Sequence, residues 1–220
     1  MMQKILLKTK LSEFIDGLIK NYEVIAPVKE KNTKFKKINS SRDIFLDKIT
    51  EVPAKNLFIP ENEILLEFKN GKRDEKKGEI KPRIIFGLRK CDLNAIQILD
   101  KVMYDSQYLE KRKNTILIGM FCENPDNYCF CNSMELEDYY DLFFYPEGIN
   151  YYISVRSKKG EKLVKNLANA KKEIKIPKPK NNNVLTDKDI EEDYRNKIWE
   201  TDAEAVLHAL FIAQHVIVLI

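Results

Sequence analysis

The fold is decided by residues 83–121, which begin RIIFGLRKCDLNAIQILDKVMY and end TILIGMF. The apolar runs at 83–88 and 115–121 have the length and composition of buried strands. Between them, Asp92 is predicted to cap a helix with an apolar face. That face consists of Leu93, Ile96, Ile98, Leu99 and Val102. A strand, a helix and a strand in this order predict a right-handed βαβ unit with parallel strands.

Segments before this unit extend the predicted sheet. Residues 11–20 have apolar positions at helical spacing, and residues 21–30 follow as a strand. Short strands or strand–turn pieces are predicted at FKKI (35–38) and DIFLD (43–47). The lysine-rich residues 70–82 are predicted to be a polar loop.

Segments after the unit complete an α/β fold with a mixed sheet and a C-terminal helical appendage. Residues 141–157 predict a hairpin that turns at Pro146-Glu147-Gly148, and residues 158–172 predict a helix. The predicted organisation has four parts: an α/β cysteine-bearing domain at 1–173, a Pro- and Asn-rich linker at 174–184, a helix at 185–200 and an apolar tail at 201–220.

Composition excludes several classes of function. The 38 basic and 34 acidic residues are interleaved and leave a net charge of only +4, so no nucleic-acid partner is expected. The N-terminus lacks an apolar signal segment, which predicts a cytoplasmic protein whose thiols stay reduced. The chain has no P-loop, G-x-G-x-x-G, H-E-x-x-H or G-x-S-x-G motif, and so nothing indicates a hydrolase or a dinucleotide enzyme.

All four cysteines fall within 41 residues, at Cys91 and within CENPDNYCFC (122–131). Cys91 follows the first strand of the βαβ unit and Cys122 ends the second, so both are expected at the carboxyl edge of the sheet. The turn residues of ENPDNY return Cys129 toward Cys122. In extended chain, Cys129 and Cys131 face the same way because they are two residues apart. The sequence therefore predicts that the four thiols converge.

Four thiolates are the ligands of an iron–sulfur cluster or of a structural zinc ion. Cys91 lies at a predicted helix N-terminus beside Arg89 and Lys90, so its thiol pKa is expected to be lowered, which favours ligation. The alternative is that Cys91 and Cys122 are small buried hydrophobes and that the other two cysteines are fortuitous. The spacing C-x6-C-x-C leaves zinc and iron–sulfur both open.

A family resemblance favours iron–sulfur. GLRKCDLNAIQILDKVM (87–103), NTILIGMFCENPDNYCFCNSM (114–134) and PAKNLFIPENEILLEF (53–68) resemble the N-terminal domain of [4Fe–4S] dicluster electron-transfer subunits. These include the beta subunits of sulfhydrogenases and the corresponding electron-transfer subunits of anaerobic sulfite reductases. The resemblance runs from about residue 40 to 200, and the motifs G-x-R-x-C-D and C-x6-C-F-C-x-S-M carry it.

The resemblance implies a set of site residues, a cofactor and partners. Cys91, Cys122, Cys129 and Cys131 would bind a [4Fe–4S] cluster, with Arg89 and Asp92 as supporting residues. The chain would carry electrons between redox partner subunits of an anaerobic hydrogenase-, sulfur reductase- or sulfite reductase-type complex and would not be catalytic by itself. A zinc-stabilised interaction module without a redox role is the alternative.

The tail TDAEAVLHALFIAQHVIVLI has no cysteine where the family continues into a ferredoxin-like module. Codons for Ile212–Ile220 are also compatible with CPTCYCFD in a neighbouring frame, which favours a hypothesis of a frameshift between Trp199 and Asp202 and hence a truncated product. An ordinary helix and a short membrane tail are the alternatives. Residues 203–220 contain Glu, Gln and His and are marginal in length, so no membrane span is expected.

Overall fold

The structure, a computed structural model, describes residues 3–60, 82–134 and 136–177, and the backbone of two short strands at 67–69 and 72–74. Its secondary structure is an α/β arrangement, as predicted. The strands are β1 Gln3–Leu7, β2 Glu23–Lys29, β3 Thr33–Lys37, β4 Glu67–Lys69, β5 Lys72–Asp74, β6 Arg83–Leu88, β7 Thr115–Met120, β8 Leu142–Glu147, β9 Asn150–Val155 and β10 Ala168–Asn169. The helices are α1 Leu11–Ile19, α2 Lys90–Val102, α3 Ser106–Lys113 and α4 Lys158–Val164.

Eight strands form one mixed sheet in the order β10-β1-β9-β8-β7-β6-β2-β3. Parallel pairing joins β2 to β6, β6 to β7, and β7 to β8. The pairs on either side of this group are antiparallel. The predicted parallel pairing of residues 83–88 with 115–121 is confirmed, with Ile84 opposite Ile116. The predicted hairpin is confirmed as β8–β9, but its turn lies later than predicted, at Gly148 with a positive φ of 56°, because Pro146 and Glu147 still pair with β9.

Alternation along the central strands builds an apolar layer on each face of the sheet. In β6, Ile84 and Phe86 join the layer that includes Ile15 and Leu18 of α1. Ile85 and Leu88 join the opposite layer, which includes residues of α2 and Tyr108 of α3. Leu88 changes face relative to Phe86 because the register shifts at Gly87, whose φ of 87° is accessible to glycine. This irregularity orients the chain as it enters the loop before α2.

Some local predictions are wrong. Helix α2 begins at Lys90, so Asp92 is not its N-cap but lies in the first turn, where its carboxylate accepts from the Arg89 backbone N–H at 3.0 Å. Of the two alternatives for residues 43–47, the strand is not formed: Asp43 ends a 3-10 turn at Ser41–Asp43 that is capped by Ser40. Within the predicted loop 70–82, residues 72–74 pair with β4.

Besides β4 and β5, three elements of the described residues were not predicted: β1, β10 and α3. The first two are edge pairings between distant parts of the chain, with Lys4 opposite Asn169. Helix α3 starts at an Asp105 cap, which accepts from the Tyr108 N–H at 2.8 Å. The predicted helix at 158–172 ends early, at Val164. The predictions for residues 178–220, including the helix at 185–200, the apolar tail and the frameshift, lie outside the described residues and stay predictions.

Candidate metal centre

All four cysteines line one pocket of about 710 Å³ at the carboxyl edge of β6 and β7. None of the four forms a disulfide. The sheet supplies this arrangement directly: β6 runs through Arg89 into α2 and Cys91, while β7 ends at Met120, two residues before Cys122. The predicted position of Cys91 and Cys122 at the sheet edge therefore agrees with the described structure.

Cys91 lies in the first turn of α2 and is accessible to solvent. It nevertheless lines the concave pocket, where neighbouring protein atoms desolvate its thiol. This desolvation, followed by the negative charge of Asp92 and of the other cysteines, raises the pKa of its thiol well above the usual value. The expectation that the Cys91 pKa is lowered is therefore wrong.

The two basic neighbours of Cys91 do not reverse this effect because their charged groups point elsewhere. Lys90 Nζ lies 3.1 Å from Asp138 Oδ1 in an ion pair. The guanidinium of Arg89 donates to the backbone oxygens of Phe121 at 2.7 Å and Leu46 at 2.6 Å. Its charge acts on other thiols of the pocket, and lowers the pKa of Cys122 and Cys129 against the larger effect of burial.

The loop at 123–131 returns the chain to the pocket through a turn at Asp126. The Cys129 N–H donates to the Asp126 carbonyl at 3.0 Å, and the Asp126 N–H donates to Cys129 Sγ at 3.2 Å. The turn expected in ENPDNY is thus confirmed. Cys131 begins a 3-10 turn at Cys131–Ser133, so the expected extended chain at 129–131 is wrong, although both cysteines line the same pocket.

A curated protein matches much of this chain. The chain is 32% identical over 161 residues to "Sulfhydrogenase 2 subunit beta" of Pyrococcus furiosus, an alignment that covers 69% of the chain and 48% of that protein. The chain is a homologue of a hydrogenase beta subunit. It spans about half the length of the curated relative it matches. No protein-family model matches the chain. No solved structure matches it either.

The donor chemistry of this hydrogenase beta subunit homologue fits a thiolate-bound metal group, since four thiols line one pocket and influence one another electrostatically. Across residues 3–60, 82–134 and 136–177, however, no group of three Cys, His, Asp or Glu side chains is close enough together to hold one metal ion. The four cysteines are therefore gathered around a shared pocket and are not assembled as a closed ligand set.

Sequence reasoning missed one wall of the pocket. The start of the predicted linker, Ile174 to Pro177, also lines the pocket. Gln3 holds it there: its side chain donates to the Ile174 carbonyl at 2.8 Å and accepts from the Ile174 N–H at 2.9 Å. Nothing in a lone buried glutamine of the first strand predicts a partner 171 residues away.

In the part of the homologue that the structure describes, no helix combines the length and apolarity that crossing a bilayer needs.

The raised pKa of Cys122 gives a direct prediction for the metal-free protein. Burial raises this pKa to about 11, and iodoacetamide attacks only the thiolate. The alkylation rate of Cys122 should therefore keep rising, about tenfold per pH unit, between pH 8 and pH 10. In the urea-unfolded chain the rate should level off above about pH 8.5, the ordinary thiol pKa. Timed peptide mass spectrometry measures both rates, and a plateau near pH 9 in the folded protein would contradict the prediction.

Proposed function

We propose that this chain is an iron–sulfur electron-transfer subunit of a hydrogenase-type complex. The observation that carries the proposal is that four cysteines line one pocket of a chain homologous to a hydrogenase beta subunit. Four thiolates complete the ligand set of a [4Fe–4S] cluster. A bound cluster would supply a one-electron redox step. We propose Cys91, Cys122, Cys129 and Cys131 as its ligands, with Arg89 and Asp92 as supporting residues.

An electron carrier needs a donor and an acceptor, so the chain would work between redox subunits in the cytoplasm and would have no substrate chemistry of its own. The carboxyl edge of the sheet suits this role because its loops can carry ligands while the strands keep them in place. A sulfite or sulfur reductase-type complex is the variant of the same function in which only the terminal acceptor differs.

A structural zinc site is the second candidate function, because four cysteine thiolates also complete a closed zinc site. In that case the chain would be an interaction module, and the metal would stabilise the loop at 123–131 against β6 and α2. The two candidates differ in composition, since only a cluster brings acid-labile sulfide.

Anaerobic purification followed by assays of iron, sulfide and zinc tests the proposal. We expect iron and sulfide in equal amounts, near four of each per chain for a complete [4Fe–4S] cluster, and a visible absorption band that dithionite bleaches. Zinc without sulfide would overturn the electron-transfer function in favour of the zinc module. The absence of both iron and zinc would overturn both candidate functions and would favour buried thiols that bind no metal.

A further inference from the structure

Arg89 carries a charged group that is almost completely buried at the cysteine pocket. Only 8% of the residue is exposed, and it lies directly after β6, two residues before Cys91. Its Nη1 donates to the Phe121 carbonyl at 2.7 Å and its Nη2 to the Leu46 carbonyl at 2.6 Å. Backbone carbonyls are neutral, so these bonds fix the guanidinium without cancelling its charge.

These contacts hold the charge next to the thiols. Phe121 immediately precedes Cys122, and Arg89 borders the cysteine pocket on one side and a second pocket of about 320 Å³ on the other. The guanidinium already favours the ionised forms of Cys122 and Cys129. Asp92, which lines the same pocket, has the opposite effect on the thiols, and its carboxylate is fixed by the backbone N–H of Arg89 itself.

We propose that Arg89 is a positioning residue whose fixed charge raises the reduction potential of the cysteine site, and that Asp92 opposes it. The inference rests on the proposed iron–sulfur function. Reduction transfers one electron from a low-potential one-electron donor to the site, with no bond made or broken, and makes the site more negative by one charge. A nearby positive charge stabilises this reduced state more than the oxidised state, and a negative charge destabilises it.

The geometry favours a strong effect from Arg89. A charge that is desolvated and held by two short hydrogen bonds acts through a medium of low dielectric constant and does not reorient when the site is reduced. Surface lysines around the pocket, such as Lys55, Lys90 and Lys175, are better screened by water and salt. Arginine suits the position because its planar fork reaches both carbonyls at once.

Variants that remove charges of opposite sign test the proposal in the anaerobically purified chain. The variants are R89Q, which removes the positive charge, R89K, which keeps a charge, and D92N, which removes the negative charge but keeps an acceptor for the Arg89 N–H. R83Q is the matched control. Arg83 begins the same strand, is partly buried and donates to the Leu57 carbonyl at 3.2 Å, but it lies about 20 Å away along β6.

The measured quantity is the midpoint potential of the iron–sulfur signal in an EPR-monitored redox titration. We expect R89Q to shift the potential negative, D92N to shift it positive, R89K to shift it less than R89Q, and R83Q to leave it unchanged. A purely structural role would not give shifts of opposite sign. Unchanged potentials in R89Q and D92N with full iron content would overturn the inference and leave the proposed function intact. If R89Q fails to fold, the comparison of D92N and R89K with the control R83Q still tests the proposed effect of charge. A wild-type chain without iron would overturn both this inference and the proposed iron–sulfur function.

Discussion

Replacement of Cys122 by serine is expected to remove nearly all bound iron and sulfide from the anaerobically purified protein. Cys122 lies two residues after the end of β7, and the hydrogen bond from Arg89 to the Phe121 carbonyl holds the backbone just before it. A serine hydroxyl does not ionise in this pH range and is a poor ligand for iron. Loss of a residue that merely orients a ligand costs about 10–100-fold in metal affinity, and loss of the ligand itself should cost at least as much.

The measurement is the ratio of iron and sulfide to protein, with circular dichroism to verify the fold. Ser133, an exposed residue of the 3-10 turn that begins at Cys131, supplies the matched control S133A, which should keep the wild-type iron content. The same loss is expected in C91S, C129S and C131S. Full iron content in any one of the four variants would exclude that cysteine from the ligand set.

The part of the site that could be predicted from sequence is the part built by local pattern. The apolar runs at 83–88 and 115–120 specify buried parallel strands, and parallel strands bring their carboxyl ends to one edge whatever the rest of the fold does. The positions of Cys91 and Cys122 follow from that alone. The turn at Asp126 is equally local, since Asn, Pro and Asp side chains favour turns through their own backbone geometry.

The pKa of Cys91 could not be predicted because it depends on what surrounds the thiol in space. Neighbours along the chain indicated a lowered pKa, but Lys90 pairs with Asp138 in a distant loop, and Arg89 turns toward β7. What remains near the thiol is a desolvating pocket and the Asp92 carboxylate, and both disfavour the thiolate. The sequence shows which charged residues are close to Cys91 along the chain, but it does not show where their charged groups point.

The strand pairings toward the edges of the sheet could not be predicted from local sequence either. Strand β1 pairs with β9 and β10, which lie near the other end of the described chain, and the buried Gln3 fixes Ile174 at the pocket wall. Such pairings depend on the whole topology, and a five-residue run like QKILL carries no signal of its partner. The irregularity at Gly87 is of the same kind, because a single glycine in an apolar run is compatible with a regular strand as well as with a bulge.

Substitution of Gly119 by alanine is expected to lower the free energy of unfolding by about 1–3 kcal/mol, the cost of overpacking a well-packed core. Gly119 lies in β7 beneath α2, and an added Cβ would be 2.3 Å from Cδ2 of Phe143 and 2.9 Å from Cδ1 of Leu93. Both neighbours are buried. Because the Phe143 ring also lines the cysteine pocket, its displacement should reduce iron content as well as stability. Urea denaturation monitored by circular dichroism measures the change.

Gly17 provides the same substitution with the opposite expected sign. It lies on the exposed face of α1, where an added Cβ meets nothing within 4 Å. Alanine there removes the entropic cost of glycine in a helix and should raise the free energy of unfolding by about 0.5–1 kcal/mol. G17A should also leave iron content unchanged, because α1 packs on the face of the sheet opposite α2. If G119A were as stable as wild type with the pocket intact, Phe143 would have to be free to move, and the close packing of β7 against β8 and α2 would be refuted.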